Sequence, residues 1–296
     1  TPGTGVEEWN ADVAVGAWVT GGNMNTAKKL LGGFGTPTSA LAFGGETPDQ
    51  SATAKTEQYN GTSWTEVTNL NSGREQVAGA GTDSTSGLAF GGQIPPSTMA
   101  DQTENWNGSV WTEVNNLNSG RRNLTGCGIA TAALAFGGFI PNSNRALNES
   151  WNGSSWTEVS DLNTARRGLA GTGTNTAALC FGGFTTTTIA NTESWNGSSW
   201  TEVALLNAAN SGMAGAGTNT AALSIGGSPT PTAIPQSWNG TSWSNENNLN
   251  TNRESLAGDG TQTSAIAIGG NPPNSVLTEE WDGTGLVTTT VTTTSD

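Results

Sequence analysis

Side chains that commonly carry out catalysis are scarce in this sequence. The 296 residues include no His, one Tyr and two Cys, so a Ser or Cys nucleophile would have no His as its general base. Carboxylates remain available, but the most regular ones belong to a repeated Thr-Glu-Val and stand at Glu66, Glu113, Glu158 and Glu202. A residue that recurs at a fixed interval suits a solvated strand edge better than a unique catalytic site. The sequence therefore predicts no enzymatic activity, no cofactor and no metal site.

The composition favours a turn-rich, all-β protein. Gly accounts for 42 residues, and Asp, Glu, Lys and Arg together make up 11% of the chain, whereas about 25% is usual. The formal net charge is −14 and no run of Lys and Arg forms a basic patch, which argues against nucleic acid as a partner. Because no run of 18 apolar residues occurs, we expect no membrane insertion.

One motif recurs along the chain. It reads ESWNGSSWTEV from Glu149, with close variants from Thr56, Thr103, Thr192 and Pro235. Each copy runs on to a double glycine, and the six pairs, 47 to 43 residues apart, begin at Gly44, Gly91, Gly137, Gly182, Gly226 and Gly269. Such a period with short strands is typical of β-propeller blades. We therefore predict six blades in a single domain spanning residues 1–296, with repeats ending near Gly45, Gly92, Gly138, Gly183, Gly227 and Gly270.

Each copy predicts a four-stranded antiparallel sheet. The run TAALCFGG at 176–183 is typical of a strand buried on both faces, and the small residues of RGLAGTGT at 167–174 suit a strand near the central axis. ESW and WTEV predict a hairpin whose Asn-Gly would form a type I′ turn. The Trp pairs, such as Trp151 with Trp156, are predicted to pack between blades, and a sugar-stacking platform is the alternative.

Both ends of the chain are expected to complete the last blade, because an open propeller would expose sheet edges. TEEWDG follows the last double glycine, while VEEWN and GAWVTGG precede the first. We expect residues 6–20 and 277–292 to close the ring, with the strand around Trp18 outermost. The alternative source of that strand is the Thr-rich tail LVTTTVTTT.

Cys127 and Cys180 occupy different positions of neighbouring repeats. A bridge between them would need strands of two separate sheets to come unusually close. We therefore predict two buried thiols.

The repeat resembles the Kelch repeat. An Arg-Arg pair precedes a small-residue strand, an apolar strand ends in Gly-Gly, and an aromatic residue and then a Trp follow. The resemblance covers about Val6 to Trp281 and implies a six-bladed propeller. Kelch enzymes similar to galactose oxidase hold copper through Tyr and His, and this sequence has no His to supply. The WNGSSW turn departs from the usual Kelch pattern and is similar to Kelch-like repeats in structural proteins of bacteriophages, marine ones especially.

The resemblance also gives a role to a recurring cation. Equivalent positions between consecutive copies hold Lys28, Arg74, Arg121, Arg166 and Arg253, with Asn210 in the departing copy. In a Kelch propeller this loop opens on the same face as the loop after the double glycine. The resemblance therefore implies a cationic ring near the mouth of the central channel, able to hold carboxylate or sulfate groups. The alternative is that each cation hydrogen-bonds carbonyls of the neighbouring blade.

The length variation among the copies lies in the loop after the double glycine. The distance from its second Gly to the first aromatic residue of the following hairpin falls from 14 to 11 residues, while the rest of the repeat is nearly constant. A rigid scaffold with variable loops is typical of a binding surface, and the bulky candidates for ligand anchors are Phe139, Arg145 and Phe184. Relaxed constraint at an exposed turn is the alternative.

These features lead to two expectations for function. The first is a non-enzymatic binding module, extracellular or on a virion surface, that recognises a host-surface glycan or protein through the variable loops. The second is an architectural virion protein, such as a decoration or fibre component, whose partners are neighbouring virion proteins. Clustered exposed aromatic residues on the loop face would favour the first, and a large flat apolar patch on the rim would favour the second.

Overall fold

The computed structural model describes residues 16–229 and 234–283. It contains six four-stranded antiparallel sheets. The prediction of a six-bladed β-propeller is thereby confirmed. In each blade we call the strands inner, second, third and outer, counting from the axis. Within the described residues no helix is long and apolar enough to cross a membrane.

The strands of each blade follow one another along the chain, except in the last blade. Blade 1 consists of Gly32–Thr36, Ser39–Phe43, Thr56–Tyr59 and Trp64–Val67, and blade 2 of Ala78–Asp83, Ser86–Phe90, Thr103–Trp106 and Trp111–Val114. Blade 3 consists of Thr125–Ile129, Ala132–Phe136, Asn148–Trp151 and Trp156–Val159, and blade 4 of Ala170–Thr174, Ala177–Phe181, Thr192–Trp195 and Trp200–Val203. Blade 5 consists of Ala214–Gly217, Ala222–Ile225, Gln236–Trp238 and Trp243–Asn245, and blade 6 of Ala257–Thr261, Ser264–Ile268, Thr278–Asp282 and Ala17–Thr20. Two short hairpins, Gln93–Ile94 with Thr98–Met99 and Phe139–Ile140 with Ser143–Asn144, lie in the loops of blades 2 and 3.

The N-terminal strand closes the ring. Ala17–Thr20 pairs antiparallel with Thr278–Asp282 and places Trp18 opposite Trp281, with their ring centroids 5.3 Å apart. The inner strands of blades 6 and 1 also contact each other. The outermost strand therefore comes from the segment around Trp18, as expected. The remaining parts of the predicted closing segments, residues 6–15 and 284–292 with the Thr-rich tail, lie outside the described residues.

Glycine in the inner strands lets neighbouring blades approach closely. A Cβ atom on Gly126 would lie 2.3 Å from Cζ of Phe90 in the preceding blade, and one on Gly171 would lie 2.4 Å from Cζ of Phe136. Any larger residue would push the inner strands apart. The small-residue strand predicted from the sequence is thus the innermost strand.

The Trp pairs form the core between blades, as predicted. The centroids of Trp151 and Trp156 are 5.3 Å apart, and Trp156 lies 5.0 Å from Phe90 of the preceding blade. Both Trp side chains are buried. They bury aromatic area between sheets instead of offering sugar-stacking platforms.

The hairpin turn differs from the predicted type I′ turn. Trp151 pairs with Trp156, which leaves a four-residue loop, and Gly153 takes a positive φ of 94° whereas Asn152 does not. The Asn152 side-chain oxygen accepts hydrogen bonds from the backbone N–H groups of Ser154 and Ser155, each at 2.9 Å. The prediction of a type I′ turn was wrong, because Asn caps this loop through its side chain.

Four of the six blade interfaces share a hydrogen bond from an outer-strand indole to a Thr hydroxyl, a fifth has a bond from the Trp18 indole to a carbonyl, and one has neither. Outer-strand indoles donate to a Thr hydroxyl of the preceding blade, as Trp111 does to Thr56 at 3.1 Å and Trp156 to Thr103 at 2.9 Å. At the equivalent position opposite Trp200 the chain has Asn148. The indole Nε1 of Trp200 and Oδ1 of Asn148 are both buried without a partner among the described residues.

Replacing Asn148 by Thr is therefore expected to stabilise the protein. The new hydroxyl would accept the hydrogen bond from Trp200, which corresponds to about 1 kcal/mol in the free energy of unfolding. Urea denaturation of the Asn148→Thr variant measures the gain. The matched control is Thr103→Asn, which should destabilise by a similar amount, and destabilisation by both exchanges would contradict the prediction.

Candidate functional site

The two loop types at one end of each blade lie side by side. The double glycine adopts positive φ at both positions, 62° at Gly182 and 111° at Gly183, a conformation that favours Gly. The backbone N–H of Gly183 donates to the carbonyl of Asn210, 2.8 Å away in the loop that joins blades 4 and 5. We call this end, built from the loops after the double glycines and the loops joining blades, the loop face. The opposite end is the turn face.

A closed circle of backbone hydrogen bonds surrounds the channel mouth on the loop face. One residue per blade junction takes a φ between 52° and 64° and donates its N–H to the equivalent carbonyl of the adjacent junction. The N···O distances run from 2.7 to 3.3 Å around Leu30, Gln76, Asn123, Gly168, Gly212 and Ser255. Six buried apolar residues follow directly: Leu31, Val77, Leu124, Leu169, Met213 and Leu256. The central channel below has a volume of about 380 Å³.

The five recurring cations do not face solvent. Their side chains are at most 1% exposed and form ion pairs with Glu residues of the following blade's third strand: Lys28–Glu57 at 3.2 Å, Arg74–Glu104 at 2.8 Å, Arg121–Glu149, Arg166–Glu193 at 3.0 Å and Arg253–Glu279 at 2.6 Å. This placement corrects the hypothesis of an accessible cationic ring. The alternative prediction was that each cation hydrogen-bonds carbonyls of the neighbouring blade. Arg121 does so, since it also donates to the carbonyls of Ala135 and Gly137.

The sixth interface replaces both members of the pair with neutral residues. Asn210 stands in the position of the cation, and Gln236 in that of the carboxylate. Gln236 accepts a hydrogen bond from the backbone N–H of Asn207 at 2.8 Å, as Glu104 does from Asn71 at 2.8 Å. The paired exchange avoids an unbalanced buried charge, which indicates that these residues hold blades together.

Three arginines remain outside the ion pairs of the described residues. Lys29 pairs with Glu46 at 3.1 Å and Lys55 pairs with Glu66 at 3.3 Å. The other three are Arg122, Arg145 and Arg167, all in loops of the loop face that belong to, or adjoin, blade 3. Their charge is concentrated in one part of a protein with a net charge of −14, where Arg122 is also near enough to Glu75 to lower the pKa of that carboxyl group.

Two of these arginines stack with the predicted aromatic anchors. The guanidinium carbons of Arg122 and Arg167 lie 5.3 and 4.7 Å from the centroid of Phe139, and that of Arg167 lies 4.7 Å from Phe184. All four side chains are half-buried. We call Arg122, Phe139, Arg167 and Phe184 the arginine–phenylalanine cluster.

Neutral side chains position these guanidinium groups. Arg122 donates to Oε1 of Gln93, and Arg167 donates to Oδ1 of Asn144 at 3.1 Å. Predicted anchor Arg145 lies in the same loop as Phe139, and its N–H donates to the carbonyl of Gly138 at 2.8 Å. The structure thus places all three predicted anchors, Phe139, Arg145 and Phe184, in one part of the loop face.

Arg122 and Arg167 were not predicted from the sequence, because only the first residue of each Arg-Arg pair recurs as a cation in most copies. A signal was present. The first position is cationic in five copies, whereas the second varies among Lys29, Glu75, Arg122, Arg167, Ser211 and Glu254. A position that varies among the repeats holds a side chain that takes no part in the packing shared by all blades.

Three carboxylates lie at other positions around the channel mouth. Glu75 and Glu254 occupy positions equivalent to Arg122, while Glu46 is equivalent to Phe139. Burial raises the pKa of Glu75, and its hydrogen bond with Glu46 and the charge of Glu46 raise it further. The charges of Arg122 and Lys29 lower the pKa of Glu75. The loop face therefore has a cationic, aromatic part that borders on Glu75 and Glu46.

Two thiols and one carboxyl group lie in the interior. Cys127 and Cys180 are buried and free, as predicted. Burial raises the pKa of the Cys180 thiol to about 11, although Arg166 lies 2.9 Å from its sulfur. Asp259 lines the central channel and accepts a hydrogen bond from the N–H of Gly35 at 3.0 Å, and burial raises its pKa to about 7. Among the described residues no group of three or more His, Cys, Asp or Glu is placed to hold a metal ion.

No protein-family model matches the sequence, and a search of curated proteins finds no match either. The assignment of the fold therefore rests on the six sheets and their closure. Any assignment of function rests on the chemistry of the loop face.

Proposed function

We propose that this propeller is a non-enzymatic binding module that recognises a host-surface glycan or protein through its loop face. The observation that carries the proposal is the clustering of Phe139, Phe184, Arg122 and Arg167 at adjacent blade junctions of that face. Aromatic residues and Arg are enriched at the centres of binding surfaces. The rest of each blade is used for packing, since the repeated Trp residues and the recurring cations are buried.

We further propose that the blades are Kelch-type repeats and that the module is displayed outside the cell, on a virus particle. The support for Kelch-type repeats is the order of Arg-Arg, apolar strand and double glycine, which the six-bladed fold fits. The similarity of the WNGSSW turn to Kelch-like repeats in bacteriophage structural proteins supports a place on a virion. A low content of charged residues, with many Thr, Ser and Asn, suits hydrogen bonding to sugars.

The architectural alternative has less support on the surface of the described residues. Large exposed apolar side chains stand singly on different elements: Val19, Val110, Ile129, Leu205 and Ile234. Scattered apolar residues of this kind are normal for a protein surface, whereas an assembly interface usually forms a contiguous patch.

Replacing Phe184 by Ala is expected to weaken ligand binding. The change removes a ring that supports Arg167, and we expect a loss of about tenfold or more in affinity. The measurement is a glycan-array screen of the wild-type protein, followed by titration of the best ligand against each variant. Ile129→Ala, on the turn face, is the matched control and should bind as the wild type does.

Two results would count against this proposal. If Phe184→Ala and the wild type bind a glycan equally, recognition does not use this part of the loop face. If the folded wild type binds no glycan, a protein receptor or the architectural role becomes the better explanation.

A further inference from the structure

We propose that the arginine–phenylalanine cluster binds the carboxylate or sulfate group of an anionic glycan. This inference rests on the proposed function, and it adds the chemical class of the ligand and its position on the loop face. A single anionic group would lie beside Arg122 and Arg167, with Arg145 in the neighbouring loop. The remaining sugar would extend over the polar side chains in the loops of blades 3 and 4.

The distribution of cations is the first argument. Seven of the ten Lys and Arg residues are neutralised in ion pairs with Glu. The other three form no ion pair within the described residues, and Arg122 and Arg167 contact the same ring, Phe139. Like charges brought together on an acidic protein repel each other, so an anion placed beside them is strongly favoured.

The positioning of the guanidinium groups is the second argument. Contacts with Phe139 and Phe184 hold Arg167 between two aromatic rings, so less side-chain entropy is lost when a ligand binds. The hydrogen-bond acceptors at Arg122 and Arg167 are the amides of Gln93 and Asn144. These acceptors orient the guanidinium groups without neutralising their charge, and further N–H donors remain for ligand oxygens.

Carboxylates at other positions around the channel mouth limit the ligand to an isolated anionic group. Glu46, Glu75 and Glu254 lie at the positions equivalent to the cluster in other blades. An extended polyanion, such as an acidic peptide or a nucleic acid, would meet these carboxylates and be repelled. A glycan with one charged group can instead place its hydroxyl groups on Ser143 and Thr185, which are uncharged polar residues in the loops that carry Phe139 and Phe184.

Isothermal titration with three related sugars tests the inference. The probes are 3′-sialyllactose, which carries a carboxylate, 3′-sulfated lactose, which carries a sulfate, and lactose itself as the neutral reference. We expect at least one anionic sugar to bind about tenfold or more tightly than lactose. Its affinity should fall as salt is added, because the cluster is partly solvated.

Variants at equivalent positions of the repeat supply the controls. Arg167→Gln should reduce the affinity for the anionic sugar about tenfold, and Arg167→Lys should retain part of it, since the charge remains but the two-pronged geometry is lost. Lys29→Gln removes the same charge from the equivalent position next to blade 1 and should change the affinity less than about twofold. Unchanged thermal unfolding of each variant shows that the fold is intact.

The outcomes separate this inference from the proposed function. Binding of lactose with equal affinity, or anionic binding that Arg167→Gln leaves unchanged, overturns the anionic site while leaving glycan recognition by the loop face standing. Binding of a poly-glutamate peptide in preference to all three sugars overturns the choice of a glycan. Failure of a folded wild-type protein to bind any of the four probes overturns the inference, and the glycan array then decides on the proposed function.

Discussion

Replacing Arg74 by Asn is expected to lower the free energy of unfolding by about 3–5 kcal/mol. The change leaves the Glu104 carboxylate, which is 1% exposed, without its partner at 2.8 Å. Burial already raises the pKa of Glu104 and lowers that of Arg74, and the opposite charge of the partner counteracts each shift. Without Arg74, the carboxylate must either stay charged in the interior or take up a proton.

The chain itself contains the matched rescue. Combining Arg74→Asn with Glu104→Gln reproduces the neutral residues Asn210 and Gln236 of the sixth interface. The Gln side chain can keep the hydrogen bond from the N–H of Asn71 that Glu104 now accepts. We therefore expect the double variant to be more stable than Arg74→Asn alone, by about 2 kcal/mol.

Urea denaturation of the wild type, both single variants and the double variant forms a complete cycle. The coupling energy between positions 74 and 104 should be clearly favourable. Additive effects of the two exchanges would show that Arg74 and Glu104 act independently, which would contradict their role as a pair. Because the pair is buried, we expect the coupling to depend little on salt concentration.

Replacing Asp259 by Asn is expected to stabilise the protein above neutral pH. In the folded protein burial raises the pKa of this carboxyl group to about 7, from an ordinary value of 3.8. Between these two values the folded state holds a proton that the unfolded state has released. The stabilising contribution of protonated Asp259 is therefore complete below about pH 4 and is lost as the pH rises through 7, a change of up to about 4 kcal/mol.

An Asn side chain cannot ionise, and its oxygen can still accept the hydrogen bond from Gly35. The difference in the free energy of unfolding between Asp259→Asn and the wild type should therefore grow from pH 4 to pH 8. Denaturation of both proteins at a series of pH values measures it. Asp259→Ala, which introduces the residue found at the equivalent Ala80 and Ala216, should show the same trend, and a difference independent of pH would refute the prediction.

Much of the architecture could be predicted because each blade is specified locally. The double glycines mark strand ends that need positive φ, the run at 177–181 is apolar throughout, and the period gives the number of blades. The strand around Trp18 could also be recognised, because it matches the outer strands of the other copies. The hairpin turn was predicted less well, since the choice of turn depends on the side-chain hydrogen bonds of Asn152 as well as on Asn-Gly.

The candidate site could be predicted only in part. Phe139, Arg145 and Phe184 were found from the sequence because they are bulky residues in a variable loop. The role of the recurring cations was decided by partners about 30 residues away in the next blade, such as Glu104 for Arg74. One signal of that pairing was present in the sequence, since the copy that lacks the cation, at Asn210, also lacks the carboxylate, at Gln236.

The number of blades, their strand order and the closing strand can all be predicted from the sequence, because strand pairing and turn formation depend on neighbouring residues and on a regular period. Which residue of each Arg-Arg pair is buried and which reaches the surface depends instead on the three-dimensional packing of the blades. Arg166 enters the blade interface and meets Glu193, whereas Arg167 lies over Phe139 and Phe184. The two residues are chemically identical and adjacent in the chain, so their different roles arise from the geometry between blades.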